Sequence, residues 1–182
     1  VTVPKRPRLL LLDAVAVVAA FEVGVWDRLV AEYEVVIPSV VADEAHFYLK
    51  PPRVGRRYPI DMAAMEAAGT IQVVEMGLTD IAALLARFDR GFSGRIHAGE
   101  AEALAYLASR DESVDIRLVT SDKAALIAAA LLDLGHRSMC LGDVLRACGL
   151  TKRLEPQHEA AYHRACLNEG NRMRIQGQGL AS

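Results

Sequence analysis

The apolar positions of this chain follow two rhythms. Short unbroken runs have the length and β-branched content of strands buried on both faces: "RLLLLD" (8–13), "EVVIP" (34–38), "TIQVVEM" (70–76) and "VDIRLVTSD" (114–122). A short fifth strand is expected within "RSMCLGDVLRACGL" (137–150), followed by a helix. Between these runs lie Ala- and Leu-rich stretches with helical spacing. "AVAVVAAFEVGVWDRLVAEY" follows the first strand, and "SVVADEAHFYLK" follows the second, with Ser39 as an N-cap. "MAAMEAAG" stops at Gly69, and "LTDIAALLARFDRGF" is capped by Thr79 or Asp80 and ended by Gly91. "HAGEAEALAYLASR", "KAALIAAALLDLG" and "EPQHEAAYHRACLNEG" complete the expected helices. The Pro-, Gly- and Arg-rich stretch "KPPRVGRRYPID" (50–61) reads as an exposed loop, and "NRMRIQGQGLAS" as a loose tail. Such alternation predicts an α/β fold, a parallel sheet with helices on both faces.

Composition narrows the class. With 182 residues, 52% of them hydrophobic, the chain is long enough for one domain with a substantial core. The organisation expected is a single domain over 1–182, with its core in about 9–150 and a C-terminal helix and tail beyond. Aromatics are only 5%, unlike an aromatic-rich β-sandwich. Twenty-one basic against 23 acidic residues give a net charge of -2, so any nucleic-acid site must be local. Cys140, Cys148 and Cys166 contain no CxxC pair, which argues against a disulfide framework or zinc ribbon and fits a reducing cytoplasm. Lys5, Arg6 and Arg8 before Leu9 to Phe21 imitate a signal peptide. The apolar run is too short to span a bilayer, and Asp13 at its centre would cost about 2.5–3.5 kcal/mol. The expectation is a cytoplasmic protein without membrane association.

Four acids stand where chemistry is expected. Asp13 and Asp122 end the first and fourth strands, and in open α/β sheets ligands bind beyond the strands' carboxyl ends. Glu44 shares a helical stripe with Val40, Val41, Phe47 and Tyr48, whereas Asp43, about 100° round the helix, faces solvent. Glu100 shares a face with Ala103, Leu104, Leu107 and Ala108, while Glu102 is turned about 200° away, so periodicity selects Glu100. If these carboxylates converge, their repulsion calls for protons or a cation, and oxygen-only ligands favour Mg²⁺ or Mn²⁺. Each acid also has a plainer reading: Glu100 as a first-turn partner of the helix dipole, Asp122 as an N-cap.

At these residues the chain resembles the PIN-domain family of metal-dependent ribonucleases, which includes toxins of bacterial toxin–antitoxin pairs. The resemblance runs over roughly 9–150 and rests on "LLLLDA", "IPSVVADEA" with Glu44 six residues beyond Pro38, "GEAEALAYLA" and "LVTSDKAAL". It implies a three-layer α/β/α sandwich with a central, mostly parallel five-stranded sheet. It also implies an acidic pocket that binds Mg²⁺ or Mn²⁺ and hydrolyses RNA phosphodiesters. By matching motif, Asp13, Glu44, Glu100 and Asp122 are the metal ligands and catalytic acids, with Glu102 as the alternative third ligand and Thr120 orienting Asp122. Homodimerisation and an antitoxin partner are further implications. Ala14 stands where many relatives carry a small hydroxyl residue.

Weaker signals surround this set. Arg53, Arg56 and Arg57, beside Tyr58, are the best local cations for an RNA backbone, and Arg87, Arg90 and Arg95 form a second basic group. Asp143 is an outer acid of the same pocket at most, and His97 is near Glu100 in sequence. His158 and His163, five apart, do not share a face as zinc ligands would. Two other functions compete: a PIN-like binding module without catalysis, and a haloacid-dehalogenase-type phosphohydrolase, whose second aspartate is replaced here by Val15.

Overall fold

The computed structural model describes residues 9–49 and 56–181. In chain order the elements are β1 (Leu9–Leu12), α1 (Ala14–Glu22), α2 (Trp26–Glu32), β2 (Glu34–Pro38), α3 (Ser39–Glu44), β3 (Phe47–Leu49), β4 (Arg57–Pro59), α4 (Met62–Ala67), β5 (Gln72–Val74), α5 (Leu78–Leu85), α6 (Arg90–Ser93), α7 (Ala98–Ser109), β6 (Ile116–Val119), α8 (Lys123–Leu131), β7 (Ser138–Met139), α9 (Leu141–Ala147) and α10 (Ala160–Ile175), with 3-10 turns at Gly135–Arg137 and Pro156–His158. Strands β5, β2, β1, β6 and β7 form one sheet in that order, every pair parallel.

β1 is the middle strand, paired with β2 through Leu9–Glu34 and with β6 through Leu9–Ile116. Successive residues of a strand face opposite sides. Leu10, Leu12, Val35, Ile37 and Val119 therefore enter one core with Val17, Trp26, Leu29 and Leu145. Leu11, Val36, Ile116 and Leu118 enter the other, with Leu84, Leu104, Leu107 and Ile127. Helices cover both faces, which is why β1 is leucine throughout. The result is the three-layer α/β/α sandwich expected, with an all-parallel central sheet.

Several local expectations are corrected. "SVVADEAHFYLK" is not one helix: α3 ends at Glu44, and Phe47–Leu49 pairs antiparallel with Arg57–Pro59, so the expected exposed loop contains a strand. The cause is tertiary. Tyr48 and Tyr58 stack across this hairpin, 5.4 Å between centroids, and Tyr48 stacks on Phe21 of α1 at 5.3 Å. Burial of that aromatic ladder outweighs the weak helix propensity of the segment. Ser39 is the first residue of α3, and its hydroxyl donates to Glu102 instead of capping the helix. Gly77 is the N-cap of α5, which stops at Leu85, and Asp89 caps a separate α6.

The expected tail is also structured. α10 continues to Ile175 and packs on α8, with Gly170 so close that a Cβ there would lie 2.7 Å from the Ala130 Cβ. Beyond it, the Asp89 N–H donates to the Gly179 carbonyl (3.1 Å) and the Ala181 N–H to the Arg87 carbonyl (2.9 Å). The three cysteines are free and buried. Among the described residues no helix is long and apolar enough to cross a membrane.

Candidate metal centre at the carboxyl edge of the sheet

From the central β1 the chain builds outward through β2 and β5 on one side, then returns to add β6 and β7 on the other. The strand order therefore reverses between β1 and β6, the place where parallel sheets open a binding crevice. Asp13 follows β1 and Asp122 follows β6 after Thr120 and Ser121, so the switch point carries an acid from each strand.

Both aspartates cap helices. The Ala16 N–H donates to Asp13 Oδ1 at 2.7 Å, and the Ala125 N–H donates to Asp122 Oδ1 at 2.8 Å. The Thr120 hydroxyl donates to Asp13 Oδ2 and accepts the Asp122 backbone N–H at 3.0 Å. Thr120 thus joins the two acids: it fixes the Asp122 backbone, as its expected orienting role requires, and it holds the Asp13 carboxylate directly.

Asp13, Val41, Glu44, His97, Gly99 and Glu100 line a cleft of about 220 Å³, with Ala14 and Val15 at its rim. Glu100 lies in the first turn of α7, where Oε2 accepts the His97 N–H at 2.7 Å. Its dipole-partner reading is therefore correct but incomplete, since the same side chain also faces the cleft. Glu44, the last residue of α3, is exposed and has no hydrogen-bond or ion-pair partner among the described residues. A Cβ at Gly99 would come within 3.1 Å of Val41 Cγ2 and 3.5 Å of Glu44 Oε2, so a glycine keeps the cleft open. Sequence reasoning passed over Gly99; the signal was a glycine inside the first turn of a helix, where no turn demands one.

Burial pushes the Asp13 carboxyl up to about 7. The Thr120 and Ala16 hydrogen bonds oppose that rise, and the negative Glu100 and Asp122 add to it. Glu100 is likewise raised, first by partial burial and then by Asp122 and Glu44, against the pull of His97. Asp13 thus feels Glu100 and Asp122, and Glu100 feels Asp122 and Glu44, although Asp122 does not line the cleft. The amino ends of α1, α7 and α8 meet here too, and their dipoles favour negative charge.

Glu102 is the clearest correction at the site. Helical periodicity turned it away from the core, yet it is only 1% exposed. Its carboxylate accepts the Ser39 hydroxyl (2.9 Å), the Val40 N–H (2.9 Å) and the Met76 N–H (3.0 Å). The reason is that α7 is buried on nearly all sides, so the face opposite Glu100 is also interior. With its acceptors committed to α3 and to the end of β5, Glu102 is a structural tie and Glu100 is the glutamate at the cleft.

The remaining candidates separate. Asp143 pairs with Arg146 at 2.7 Å and does not line the cleft, and His97 lies at the rim with an 81% exposed side chain. His158 and His163 meet serines, Ser121 at 3.0 Å and Ser138 at 2.9 Å. The first bond fastens the C-terminal segment to the turn between Thr120 and Asp122, a link that nothing in the sequence spacing signals. Arg56 and Arg57 lie at the β3–β4 hairpin, and Arg53 lies outside the described residues.

An all-oxygen, multiply acidic donor set has the chemistry of a Mg²⁺ or Mn²⁺ site. As the side chains lie, no three Asp, Glu, His or Cys groups among the described residues are gathered closely enough to enclose an ion. Asp13 is fixed by two hydrogen bonds, Glu100 by one, and Glu44 by none. In chemistry the acids suit such an ion, with Asp13 anchored and Glu100 and Glu44 progressively freer, but their present spacing does not enclose one. Comparison with protein-family models, curated proteins and solved structures found no match to this chain.

Proposed function

We propose that this protein is a Mg²⁺- or Mn²⁺-dependent endoribonuclease of the PIN type, acting at the cleft between Asp13, Glu44 and Glu100. One observation carries the reading: a buried aspartate at the sheet's switch point has further acids around it, and no Lys or Arg among the described residues compensates it. A carboxylate so placed is costly as a lone anion and becomes favourable beside a cation.

Asp13, Glu44 and Glu100 would hold the ion, with Asp122 adding its charge from outside the cleft, and the ion would supply a more acidic water and charge neutralisation at a phosphate oxygen. The chain's own groups do the rest. The Ala16 N–H and the Thr120 hydroxyl each take one lone pair of Asp13, leaving a second on each oxygen for the cleft. Glu100, whose basicity burial raises, is the group best suited to accept a proton from attacking water. The missing Cβ of Gly99 leaves room for a phosphodiester.

The test incubates the purified chain with mixed RNA and Mn²⁺, beside Asp13→Asn and a chelator control. Cleavage that needs the metal and is lost in Asp13→Asn is expected. Cleavage surviving both controls refutes the mechanism, and absence of cleavage in every arm moves the assignment to a PIN-like binding module.

A further inference from the structure

The β3–β4 hairpin has two unlike faces. Register sets Phe47 opposite Pro59, Tyr48 opposite Tyr58 and Leu49 opposite Arg57, so alternation puts the tyrosines on one face and Phe47, Leu49, Arg57 and Pro59 on the other. The tyrosine face continues a ring stack through Phe21 to Trp26, the last pair 4.6 Å apart. A two-stranded hairpin alone is marginal in water, and this stack holds it against α1.

Among the described residues, the opposite face has no such ring stack. Phe47 is 41% exposed, and the Arg57 guanidinium lies 4.3 Å over its ring. Arg56 lies on the other side of the hairpin, over Tyr58 at 5.7 Å. Neither arginine pairs with an acid among the described residues, whereas Arg28, Arg117, Arg146 and Arg174 all do. The sequence from 50 to 57 adds Lys50 and Arg53 and contains no acid, in a chain whose net charge is -2.

We propose that this outer face is a platform for an unpaired RNA strand, with a base stacking on the Phe47–Arg57 pair. The inference deepens the nuclease reading and rests on it for the identity of the strand. A π face beneath a free guanidinium is the arrangement that receives an unstacked base. An acidic peptide would use the charges and leave the ring idle. Phe47 follows Glu44 by three residues, and α1 runs about 12 Å from Asp13 to Phe21 beneath the hairpin, so a bound strand lies near the acidic cleft.

The experiment measures anisotropy of a fluorescein-labelled oligouridine with the full chain in chelator, so that cleavage plays no part. Wild type is expected to bind with salt-sensitive affinity. Arg57→Lys, which keeps charge but loses the planar stack, and Phe47→Leu should each weaken binding roughly five- to tenfold. Both should melt like wild type and bind an abasic oligomer as wild type does. Unchanged oligouridine affinity in both variants overturns the platform, as does no binding by wild type or equal competition by polyglutamate. If the chain never cleaves RNA but binding still depends on Phe47 and Arg57, the nuclease reading falls and the platform stands.

Discussion

Carboxylates meet different company in two regions of this molecule. Where α9 and α10 cover the sandwich, acids sit beside cations: Asp143 and Glu159 share Arg146, Glu169 meets Lys123 at 2.8 Å, and Asp133 meets Arg174 at 2.6 Å. Around the carboxyl-edge cleft, Asp13, Glu44, Glu100 and Asp122 have no Lys or Arg partner among the described residues, and only His97 approaches, 3.7 Å from Glu100. The first arrangement is ordinary surface pairing, worth about 0–1 kcal/mol per pair. The second is unfavourable to the fold by itself, because burial raises the energy of the Asp13 anion. That contrast is what the proposed cation site rests on.

The largest effect is expected from Asp13→Asn, which keeps the shape and the Ala16 N–H bond but removes the central charge and the acceptor of the Thr120 hydroxyl. Mn²⁺-dependent cleavage should fall by more than the roughly 10- to 100-fold typical of a residue that merely supports a ligand. A parallel change in the ion-paired region, Asp143→Asn, should leave cleavage unchanged in the same gel assay.

Next comes a crossed pair within α7. Glu102→Ala leaves two half-buried N–H groups and a hydroxyl without their acceptor, so denaturant unfolding should show a loss of about 3 kcal/mol. Glu100→Ala should cost well under half of that and abolish cleavage. If the two variants exchange these outcomes, the site is built on the wrong glutamate.

Stability of the metal-free chain should also depend on pH in a direction opposite to that of a salt-bridged aspartate. Below about pH 4 Asp13 is protonated in folded and unfolded chains alike. As pH rises toward 7 the unfolded chain gives up the proton first, so up to roughly 4 kcal/mol of stability is lost across that window. Thermal melts should show this fall, Asp13→Asn should flatten it, and Mn²⁺ at neutral pH should restore the wild type.

Gly99→Ala should produce the smallest change. Alanine favours the helix by up to about 1 kcal/mol, but its Cβ crowds Val41 and approaches Glu44. The melting temperature should hold while Mn²⁺ affinity drops modestly, as read by calorimetry.

How much of this was legible in the sequence depended on whether a feature is local. "RLLLLD" and "RLVTSD" announced buried strands ending in acids because strand burial and position are written in short runs. Those two runs placed Asp13 and Asp122 beyond the carboxyl ends of their strands before any topology was known. The hairpin was hidden, since Tyr48 belongs to a strand only because Phe21 and Tyr58 stack on it from distant parts of the chain. Glu102 misled for a similar reason: periodicity assumes one buried face, and α7 is buried on nearly all of them. His158 reaching Ser121 across 37 residues has no periodic signature at all.

Calorimetric titration of Mn²⁺ into the metal-free wild type and into Asp13→Asn, at neutral pH, bears most directly on whether the cleft is a cation site. Saturable binding to the wild type, lost in Asp13→Asn and retained in Asp143→Asn, is the expected result. Equal binding by wild type and Asp13→Asn, or no binding by either, would contradict it.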